Sequence, residues 1–315
     1  MAKVAIVGSG FIGRAWAISF ARAGHDVSLW DQAGSAVGGA LAYIAEVVTE
    51  LEKHDLTNGQ TAGLVTSRIT EAQRLEDALD GAVHVQENTP EKLDTKIAVF
   101  TTLDRLAGPD TVLSSSTSAL LPSHFTEHLA GRHRCLVAHP INPPYLIPAV
   151  EIVPAPWTSA EVVENTRILL SGAGQAPIVM QRELDGFIMN RMQGALLEEA
   201  FRLVADGYAS VEDVDIGIRE GLSLRWSFMG PFETIDLNAP AGIRDYAARY
   251  QSIYENIFNQ TRYRTDWSGP VMDRIEAERR ERLAADELPT RQKWRDSRLM
   301  ALTAHKRKTD KEYGK

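Results

Sequence analysis

The chain has 315 residues, with 34 Lys plus Arg against 42 Asp plus Glu, so its formal net charge at pH 7 is −8. Hydrophobic residues make up 44% of the chain and charged residues 24%, and no apolar run approaches the length of a transmembrane helix. This composition predicts a folded globular protein and excludes a disordered chain or a membrane-spanning one. The acidic balance also argues against nucleic-acid binding, because binding to phosphates needs a basic face.

A single cysteine, Cys135, excludes an internal disulfide and a cysteine-based zinc cluster. The sequence shows no other metal-ligand spacing, so no metal is expected. The N-terminal stretch MAKVAIVGSG lacks the architecture of a signal peptide. Together these features predict a cytoplasmic protein in a reducing compartment.

Short β-branched runs alternate with longer helical patterns through the first half of the chain, which is typical of a parallel sheet covered by helices. We predict a first strand at 3–7 and a helix at 12–23. Further strands are predicted at 26–30, 83–86, 111–115, 134–138, 150–153 and 178–180. A capping-box pattern, Thr158 with Glu161, predicts the start of a helix that runs towards Leu170.

Strand signals end at about Leu184, and helical periodicity dominates beyond it, first through Met192, Leu196 and Leu203. Further helices are predicted at 211–220, 241–258 and 270–285. We therefore expect two domains, an α/β domain over residues 1–186 and an all-α domain over residues 187–315. A helical domain of this kind often buries its apolar faces against a second subunit.

The motif GSGFIG, residues 8–13, follows the first strand directly and opens the first helix. In that position the first glycine allows a tight turn, the second lets a pyrophosphate approach the backbone, and the third permits close helix–strand packing. The free amides of the helix N-terminus then face the phosphates. This combination predicts a Rossmann-type, doubly wound and mainly parallel sheet that binds a dinucleotide. The cofactor contacts expected from it are Gly8, Gly10, Phe11, Ile12 and Gly13.

Asp31 ends the second predicted strand, 18 residues after Gly13. A carboxylate at that place accepts hydrogen bonds from the adenosine ribose hydroxyls and repels a 2′-phosphate. NAD is therefore the expected cofactor rather than NADP. FAD, which the same fold also binds, is the alternative.

Four polar features follow strands or lie on the first helix of the second domain: the serine run ending at Ser118, the segment beginning at His139, Glu151 and Asn190. Ligands of doubly wound sheets bind beyond the carboxyl ends of the strands, so these side chains are expected to converge beside the nicotinamide. Neutral imidazole suits proton removal from an alcohol near pH 7, which assigns His139 as general base. Glu151 would orient the imidazole and stabilise its charged form, while Ser118 and Asn190 position the reacting oxygen.

In order along the chain, GSGFIG, PEKLDTK, SSSTSAL, HPINPPYLIPAVEIVP and DGFIMNRM resemble the 3-hydroxyacyl-CoA dehydrogenase family. The separation of 12 residues between His139 and Glu151 matches the catalytic pair of that family, and Ser118 and Asn190 fall on its serine and asparagine. The resemblance also implies three contacts with the nicotinamide ribose, which are Glu91, Lys96 and Asn142.

The segments at 221–239 and 291–302 are similar to the lambda-crystallin branch of this family, whose enzyme is L-gulonate 3-dehydrogenase. Members of the branch act on free hydroxy acids. In agreement, the acyl-CoA enzymes carry basic and hydroxyl residues that contact coenzyme A after this aspartate, whereas the stretch after Asp31 reads AGSAVGGALAYIAEV, without Lys or Arg. A free carboxylate needs a cation, and Arg225 in SLRWSFMGP is our candidate, with a purely structural arginine as the alternative.

The sequence therefore predicts an NAD-dependent oxidoreductase that oxidises the 3-hydroxyl of a small free L-3-hydroxy acid such as L-gulonate. A 3-hydroxyacyl-CoA dehydrogenase and a dehydrogenase for carnitine or 3-hydroxybutyrate are the alternatives among enzymes. A structural protein of the crystallin kind is the alternative outside them, although the four polar side chains argue against it. The resemblance and the helical domain lead us to expect a homodimer with no nucleic-acid or membrane partner.

Overall fold

The computed structural model describes residues 1–261 and 263–314, and its contacts divide the chain into two compact units. The first unit contains Met1–Asn190 together with Trp294–Glu312, and the second contains Arg191–Lys293 together with the described residues after Glu312. The sequence placed every residue after 186 in the second domain. The structure instead groups Trp294–Glu312, most of the last long helix, with the first unit.

A mixed sheet forms the centre of the first unit. Its strands are β1 (Lys3–Val7), β2 (Asp26–Trp30), β3 (Ile69–Glu71), β4 (Ala82–Glu87), β5 (Val112–Ser115), β6 (Cys135–Pro140), β7 (Ala149–Pro154) and β8 (Ala176–Val179). Within the described residues they run in the order β3-β2-β1-β4-β5-β6-β7-β8. All neighbours pair in parallel except β6 and β7, which are antiparallel. The predicted doubly wound, mainly parallel sheet is confirmed.

Each predicted strand is present, with ends shifted by at most two residues. The sequence missed β3, because three residues are too few to show the alternation by which a strand is recognised.

Helices cover both faces of this sheet. In the first unit they are α1 (Phe11–Arg22), α2 (Ser35–Lys53), α3 (Ala62–Thr66), α4 (Leu75–Leu79), α5 (Leu93–Leu106), α6 (Pro122–Thr126) and α7 (Ala160–Gly172). Successive side chains of a strand point to opposite faces. Val4 and Ile6 accordingly join a core cluster with α1 and α2, whereas Ala5 and Val7 join a second cluster with α5 and α6.

The helix α7 is confirmed, but its predicted cap is wrong. Ser159 is the N-cap, and its hydroxyl accepts a hydrogen bond from the Val162 amide at 3.3 Å. The Thr158 hydroxyl instead donates to the Cys135 carbonyl at 2.6 Å, because the preceding loop directs that side chain towards β6. Two adjacent hydroxyl residues could both cap a helix here, and the tertiary contact decides between them.

The remaining helices are α8 (Met189–Ala205), α9 (Val211–Ile216), α10 (Ser223–Trp226), α11 (Pro231–Leu237), α12 (Ile243–Gln260), α13 (Gly269–Arg282) and α14 (Leu288–Tyr313). A π-helical segment, Gly217–Leu222, joins α9 to α10. The described part of the second unit is helical, as predicted. In it the rings of Phe201 and Trp267 stack with centroids 4.5 Å apart.

The C-terminal helix α14 completes the core of the first unit. Met300 is 5% exposed and belongs to the same cluster as Trp16 and Phe20. One turn further, the Thr303 hydroxyl donates to the Leu146 carbonyl at 3.3 Å, and Arg307 donates to the Asn58 side chain at 3.3 Å. Burial of Met300 explains why this helix groups with the sheet and not with the helices that precede it.

Within residues 1–261 and 263–314, no helix is both long and apolar enough to cross a bilayer. The same residues contain no group of three or more His, Cys, Asp or Glu placed to bind a metal ion.

Candidate active site

The glycine loop between β1 and α1 makes the close contacts that its motif requires. Gly8 has a φ of +95°, and a Cβ there would lie 2.9 Å from the Asn88 carbonyl oxygen. A Cβ on Gly13 would lie 1.8 Å from the Gly8 carbonyl oxygen, so neither position accepts a side chain. A Cβ on Gly10 would meet nothing within 4 Å. The loop is therefore open at the N-terminus of α1, where a pyrophosphate approaches the backbone.

Asp31 follows β2 and is bound to the glycine loop. Its Oδ2 accepts hydrogen bonds from the Ser9 amide at 2.7 Å and the Ser9 hydroxyl at 2.9 Å. Its Oδ1 accepts one from the Ala33 amide at 2.9 Å. These bonds fix the carboxylate at the wall of the adjoining cavity. A fixed carboxylate at this place suits the hydroxyls of an adenosine ribose.

The cavity beside the loop has a volume of about 1080 Å³. Gly8, Gly10 and Asp31 lie on one side of it, and Val99 of α5 lies on the other. Its size, the open Gly10 and the fixed Asp31 together fit the adenosine and pyrophosphate parts of a dinucleotide.

Glu91 follows β4 and reaches the turn after β5. Its Oε1 accepts hydrogen bonds from the Thr117 hydroxyl, the Ser118 amide at 3.0 Å and the Ala119 amide at 3.1 Å. The structure therefore brings together Glu91 and Ser118, two of the residues singled out in the sequence. A contact between Glu91 and a nicotinamide ribose stays a prediction.

Lys96 is buried in an ion pair. Its ammonium, 1% exposed, donates to both carboxylate oxygens of Glu87 at 2.8 Å and to the Thr89 carbonyl at 3.0 Å. Glu87 also accepts hydrogen bonds from the Ser115 hydroxyl at 2.6 Å and the Thr89 amide at 2.5 Å. All three ammonium protons of Lys96 thus have acceptors inside the protein. A direct contact of Lys96 with the ribose stays a prediction.

His139 and Glu151 form a buried pair because of the strand register. The antiparallel pairing of β6 with β7 places the two residues directly opposite each other. Nδ1 of His139 lies 2.8 Å from Oε2 of Glu151, and the two side chains are 4% and 0% exposed. A carboxylate accepts, so Nδ1 carries a proton and the neutral ring has its lone pair on Nε2.

The start of α8 fixes the other oxygen of this carboxylate, a feature that the sequence analysis missed. Glu151 Oε1 accepts hydrogen bonds from the Ile188 amide at 2.6 Å and the Met189 amide at 2.8 Å. Gly186 and Phe187 precede them with φ values of +74° and +50°, in the left-handed region. Successive residues of this kind direct backbone amides towards one anion. The glycine in DGFIMN was the available signal.

Asn190 and Ser118 lie beside this group. The Asn190 side-chain amide donates to the Ser118 carbonyl at 2.7 Å, one residue after the amides that bind Glu151. Their predicted roles at the reacting oxygen are not tested by this contact. Asn142 lies in the connection between β6 and β7 and is exposed.

A buried polar network behind the glycine loop was also missed. The Ser116 hydroxyl accepts from the Trp16 indole at 3.1 Å and the Gln86 amide at 2.7 Å, and it donates to Asn88 at 2.8 Å. Gln86 in turn lies 3.0 Å from the ring of His84, whose pKa burial lowers to about 4. Polar residues inside a strand of a parallel sheet were the signal, since such strands are usually apolar.

Arg225 belongs to the second unit. It lies on α10, is exposed, and donates to the Asn238 side chain at 3.4 Å. Its role as a carboxylate-binding residue stays a prediction.

Chemically, the first unit offers a neutral imidazole held by a carboxylate. Burial raises the pKa of the Cys135 thiol to about 12, so that thiol is not available as a nucleophile. Proton removal by His139 is the chemistry that this arrangement supports.

The chain is similar to lambda-crystallins and to dehydrogenases. Lambda-crystallin of Oryctolagus cuniculus is 39% identical over 307 residues, which cover 96% of each chain. L-carnitine dehydrogenase of Pseudomonas putida is 38% identical over 247 residues, which cover 78% of this chain and 76% of the relative. The solved structure of 5-formyl-3-hydroxy-2-methylpyridine 4-carboxylic acid 5-dehydrogenase, an NAD⁺-dependent dismutase, has a TM-score of 0.80 at 26% identity and covers 98% of both chains.

Two family models together cover most of the sequence. Residues 3–184 match the NAD-binding domain of 3-hydroxyacyl-CoA dehydrogenase, and residues 186–281 match its C-terminal domain. The cofactor is NAD, as the glycine loop and Asp31 predicted. The chain belongs to the 3-hydroxyacyl-CoA dehydrogenase family.

Proposed function

We propose that this chain oxidises the 3-hydroxyl of a small free L-3-hydroxy acid, such as L-gulonate, with NAD as hydride acceptor. The observation that carries the proposal is the buried pair in which His139 Nδ1 and Glu151 Oε2 lie 2.8 Å apart. A base held in this way occurs here beside the fold that binds NAD, which is the combination that alcohol oxidation needs.

When bound, NAD supplies the site that accepts the hydride. His139 takes the hydroxyl proton on Nε2, because Glu151 holds the proton on Nδ1. Glu151 stabilises the imidazolium that results. The amides of Ile188 and Met189 keep the carboxylate in place during this step. Ser118 and Asn190 supply the hydrogen bonds that position the reacting oxygen.

The similarity to lambda-crystallin over 96% of both chains supports a free acid as substrate. The sequence after Asp31 supports it too, because α2 begins with small residues, SAVGGALA, where a thioester carrier would need basic contacts. Arg225 is the proposed cation for the substrate carboxylate.

L-Carnitine is the second candidate substrate, and one observation favours it: an L-carnitine dehydrogenase is 38% identical to this chain. A 3-hydroxyacyl-CoA is the third, because the family models carry that name. Both would use the same base.

The test is NADH formation at alkaline pH from L-gulonate, L-3-hydroxybutyrate, L-carnitine and 3-hydroxybutyryl-CoA. We expect the highest kcat/KM with L-gulonate. Preference for the thioester would overturn the free-acid proposal, and preference for another free acid would change the substrate alone. Binding of NAD without turnover of any compound would favour a structural role of the crystallin kind.

We further propose that the second unit, within the expected helical domain at 187–315, joins two copies of the chain. Its exposed apolar side chains include Phe228, Phe232 and Phe258, which are 70%, 75% and 65% exposed. Side chains of α11 and α12 also line an open groove of about 580 Å³. Exposed apolar surface on this scale is typical of an interface, and a homodimer is the usual oligomer.

Sedimentation of the purified chain tests this. We expect a dimer in the wild type and a monomer in a Phe232→Asp, Phe258→Asp double variant. A monomeric wild type would overturn the dimer without affecting the proposed reaction.

The buried lone thiol of Cys135 is compatible with the cytoplasm as the proposed location.

A further inference from the structure

The diphosphate of NAD carries two negative charges, and the cavity beside the glycine loop offers no cation for them. None of the described residues that line this cavity is Lys, Arg or His, and Asp31 adds a negative charge. Two cations are adjacent in sequence to lining residues, and both are paired: Lys96 with Glu87 at 2.8 Å and Arg74 with Glu76 at 3.4 Å. Helix amides supply only partial charges to the phosphates. A full positive charge on the phosphates would therefore have to come from beyond the cavity lining.

Arg14 is a cation placed next to this loop. Its amide donates to the Gly10 carbonyl at 3.1 Å, so it lies in the first turn of α1, directly after the glycine motif. Long helical side chains lean towards the N-terminus of their helix. In agreement, the Arg14 guanidinium carbon lies 4.5 Å from the ring centroid of Phe11. The charge is therefore at the end of α1 that faces the phosphates.

The guanidinium is stacked and not ion-paired. Its carbon lies 3.5 Å from the ring centroid of Tyr43, and among the described residues Arg14 forms no salt bridge. The buried Nε of Arg14 makes no hydrogen bond within the same residues. Stacking occupies the face of a guanidinium and leaves its N–H edge available for an oxyanion.

The surroundings of Arg14 support this state. The Tyr43 hydroxyl lies 3.1 Å from that of Tyr145, which fixes the ring under the guanidinium. The carboxylate of Asp296, which also acts electrostatically on Tyr145, forms its own ion pair with Arg295 at 2.7 Å. Asp296 therefore already has an arginine partner other than Arg14.

We infer that Arg14 binds the pyrophosphate of NAD and supplies the full positive charge that the glycine loop lacks. The ring of Tyr43 holds the guanidinium in the unliganded protein, and the N–H edge donates to a phosphate oxygen when the dinucleotide binds. The inference concerns the cofactor alone and does not depend on which hydroxy acid is the substrate.

The experiment measures binding of ADP-ribose and of adenosine to the full-length chain by calorimetry. ADP-ribose contains the diphosphate, whereas adenosine contains the base and ribose without it. Arg14→Gln should weaken ADP-ribose about tenfold, the size of one charge-assisted hydrogen bond, and leave adenosine within about twofold. Arg14→Lys should fall between, because it keeps the charge but loses the planar fork. The loss in Arg14→Gln should also shrink in high salt.

Arg167→Gln is the matched control. It removes one positive charge from α7, where Arg167 pairs with Glu164 at 2.6 Å, and it should leave both ligands unchanged. Thermal unfolding of each variant checks that the fold is intact.

Three outcomes would overturn the inference. Equal weakening of ADP-ribose and adenosine would mean that Arg14 only maintains the shape of the loop. Unchanged binding of both would mean that the stack on Tyr43 is its sole role. A raised KM for the hydroxy acid with unchanged ADP-ribose binding would assign Arg14 to the substrate carboxylate.

Discussion

Two buried carboxylates belong to strands of the same sheet, and they are bound in different ways. Glu87 on β4 has a permanent cation as partner, since Lys96 contacts both its oxygens at 2.8 Å. Glu151 on β7 has a titratable partner, His139, on one oxygen and two backbone amides on the other. Both side chains are fully buried.

The two pairs differ in the hydrogen-bonding capacity that remains on the partner of each carboxylate. Every proton of the Lys96 ammonium has an acceptor inside the protein, so this pair contributes to folding and has no free donor. His139 uses only Nδ1 on Glu151, and Nε2 is the nitrogen that can take a proton. A buried carboxylate paired with a permanent cation thus serves the fold. One paired with a group that can change its charge can take part in proton transfer.

Among the variants that test this comparison, His139→Gln is expected to have the largest effect. The variant keeps a hydrogen-bonding side chain but cannot accept the hydroxyl proton, so kcat should fall by about three to four orders of magnitude. Binding of NAD, measured by calorimetry, should stay within about twofold. The free energy of unfolding should also change little, because two amides still bind Glu151. An active variant would refute the assigned base.

Lys96→Met should act on stability instead. Removing one partner of a buried ion pair leaves the other charge uncompensated, at a cost of about 3 to 5 kcal/mol in the free energy of unfolding. Urea denaturation measures this loss. Lys92→Met is the control, because Lys92 is exposed and lies four residues earlier. Similar losses in the two variants would show that the buried Lys96–Glu87 pair stabilises the fold no more than an exposed lysine does.

His84 sharpens the comparison, because it is a buried titratable group whose side-chain partner is the neutral amide of Gln86. Burial lowers its pKa from 6.5 to about 4, so between these pH values the unfolded chain binds a proton that the folded chain does not. Stability should therefore decrease as the pH falls through this window, by about 3 kcal/mol in total from this group. Urea denaturation at pH 7 and pH 5 should show a smaller decrease in His84→Gln. An unchanged decrease would assign the effect to other groups.

Asp31→Ser should have the smallest effect. Asp31 is a partly exposed carboxylate that contacts Ser9 and not a cation, so its loss should weaken NAD about tenfold and reduce discrimination against NADP. Binding of both cofactors measures this. Asp26→Ser, at the other end of β2 and 66% exposed at its side chain, is the matched control. Unchanged preference for NAD would contradict the role of Asp31.

Much of the fold was predictable because its signals are local. The glycine loop, the alternation of strands with helices and Asp31 are all read from residue types at short spacing. The spacing of His139 and Glu151 was recognised from the family resemblance, and the structure gives its cause, which is their direct opposition on β6 and β7.

The remaining features depend on contacts that residue types do not reveal. The amides of Ile188 and Met189 reach Glu151 only because Gly186 and Phe187 adopt positive φ values. Lys96 was assigned to the cofactor by resemblance, and its pairing with Glu87 is visible only in three dimensions. The return of α14 to the first unit involves Met300, the one buried residue that the structure describes in this charged helix.

That helix has a consequence for how the protein is made. A ribosome releases the sheet and its glycine loop early, but Met300 and Thr303 emerge only after Arg191–Lys293 of the second unit have been synthesised. Until then the core cluster lacks Met300, and the Leu146 carbonyl lacks its bond from Thr303. The NAD-binding unit therefore completes its core only after α14 has been synthesised. A ribosome that stalls in the second unit leaves an incomplete and aggregation-prone first unit.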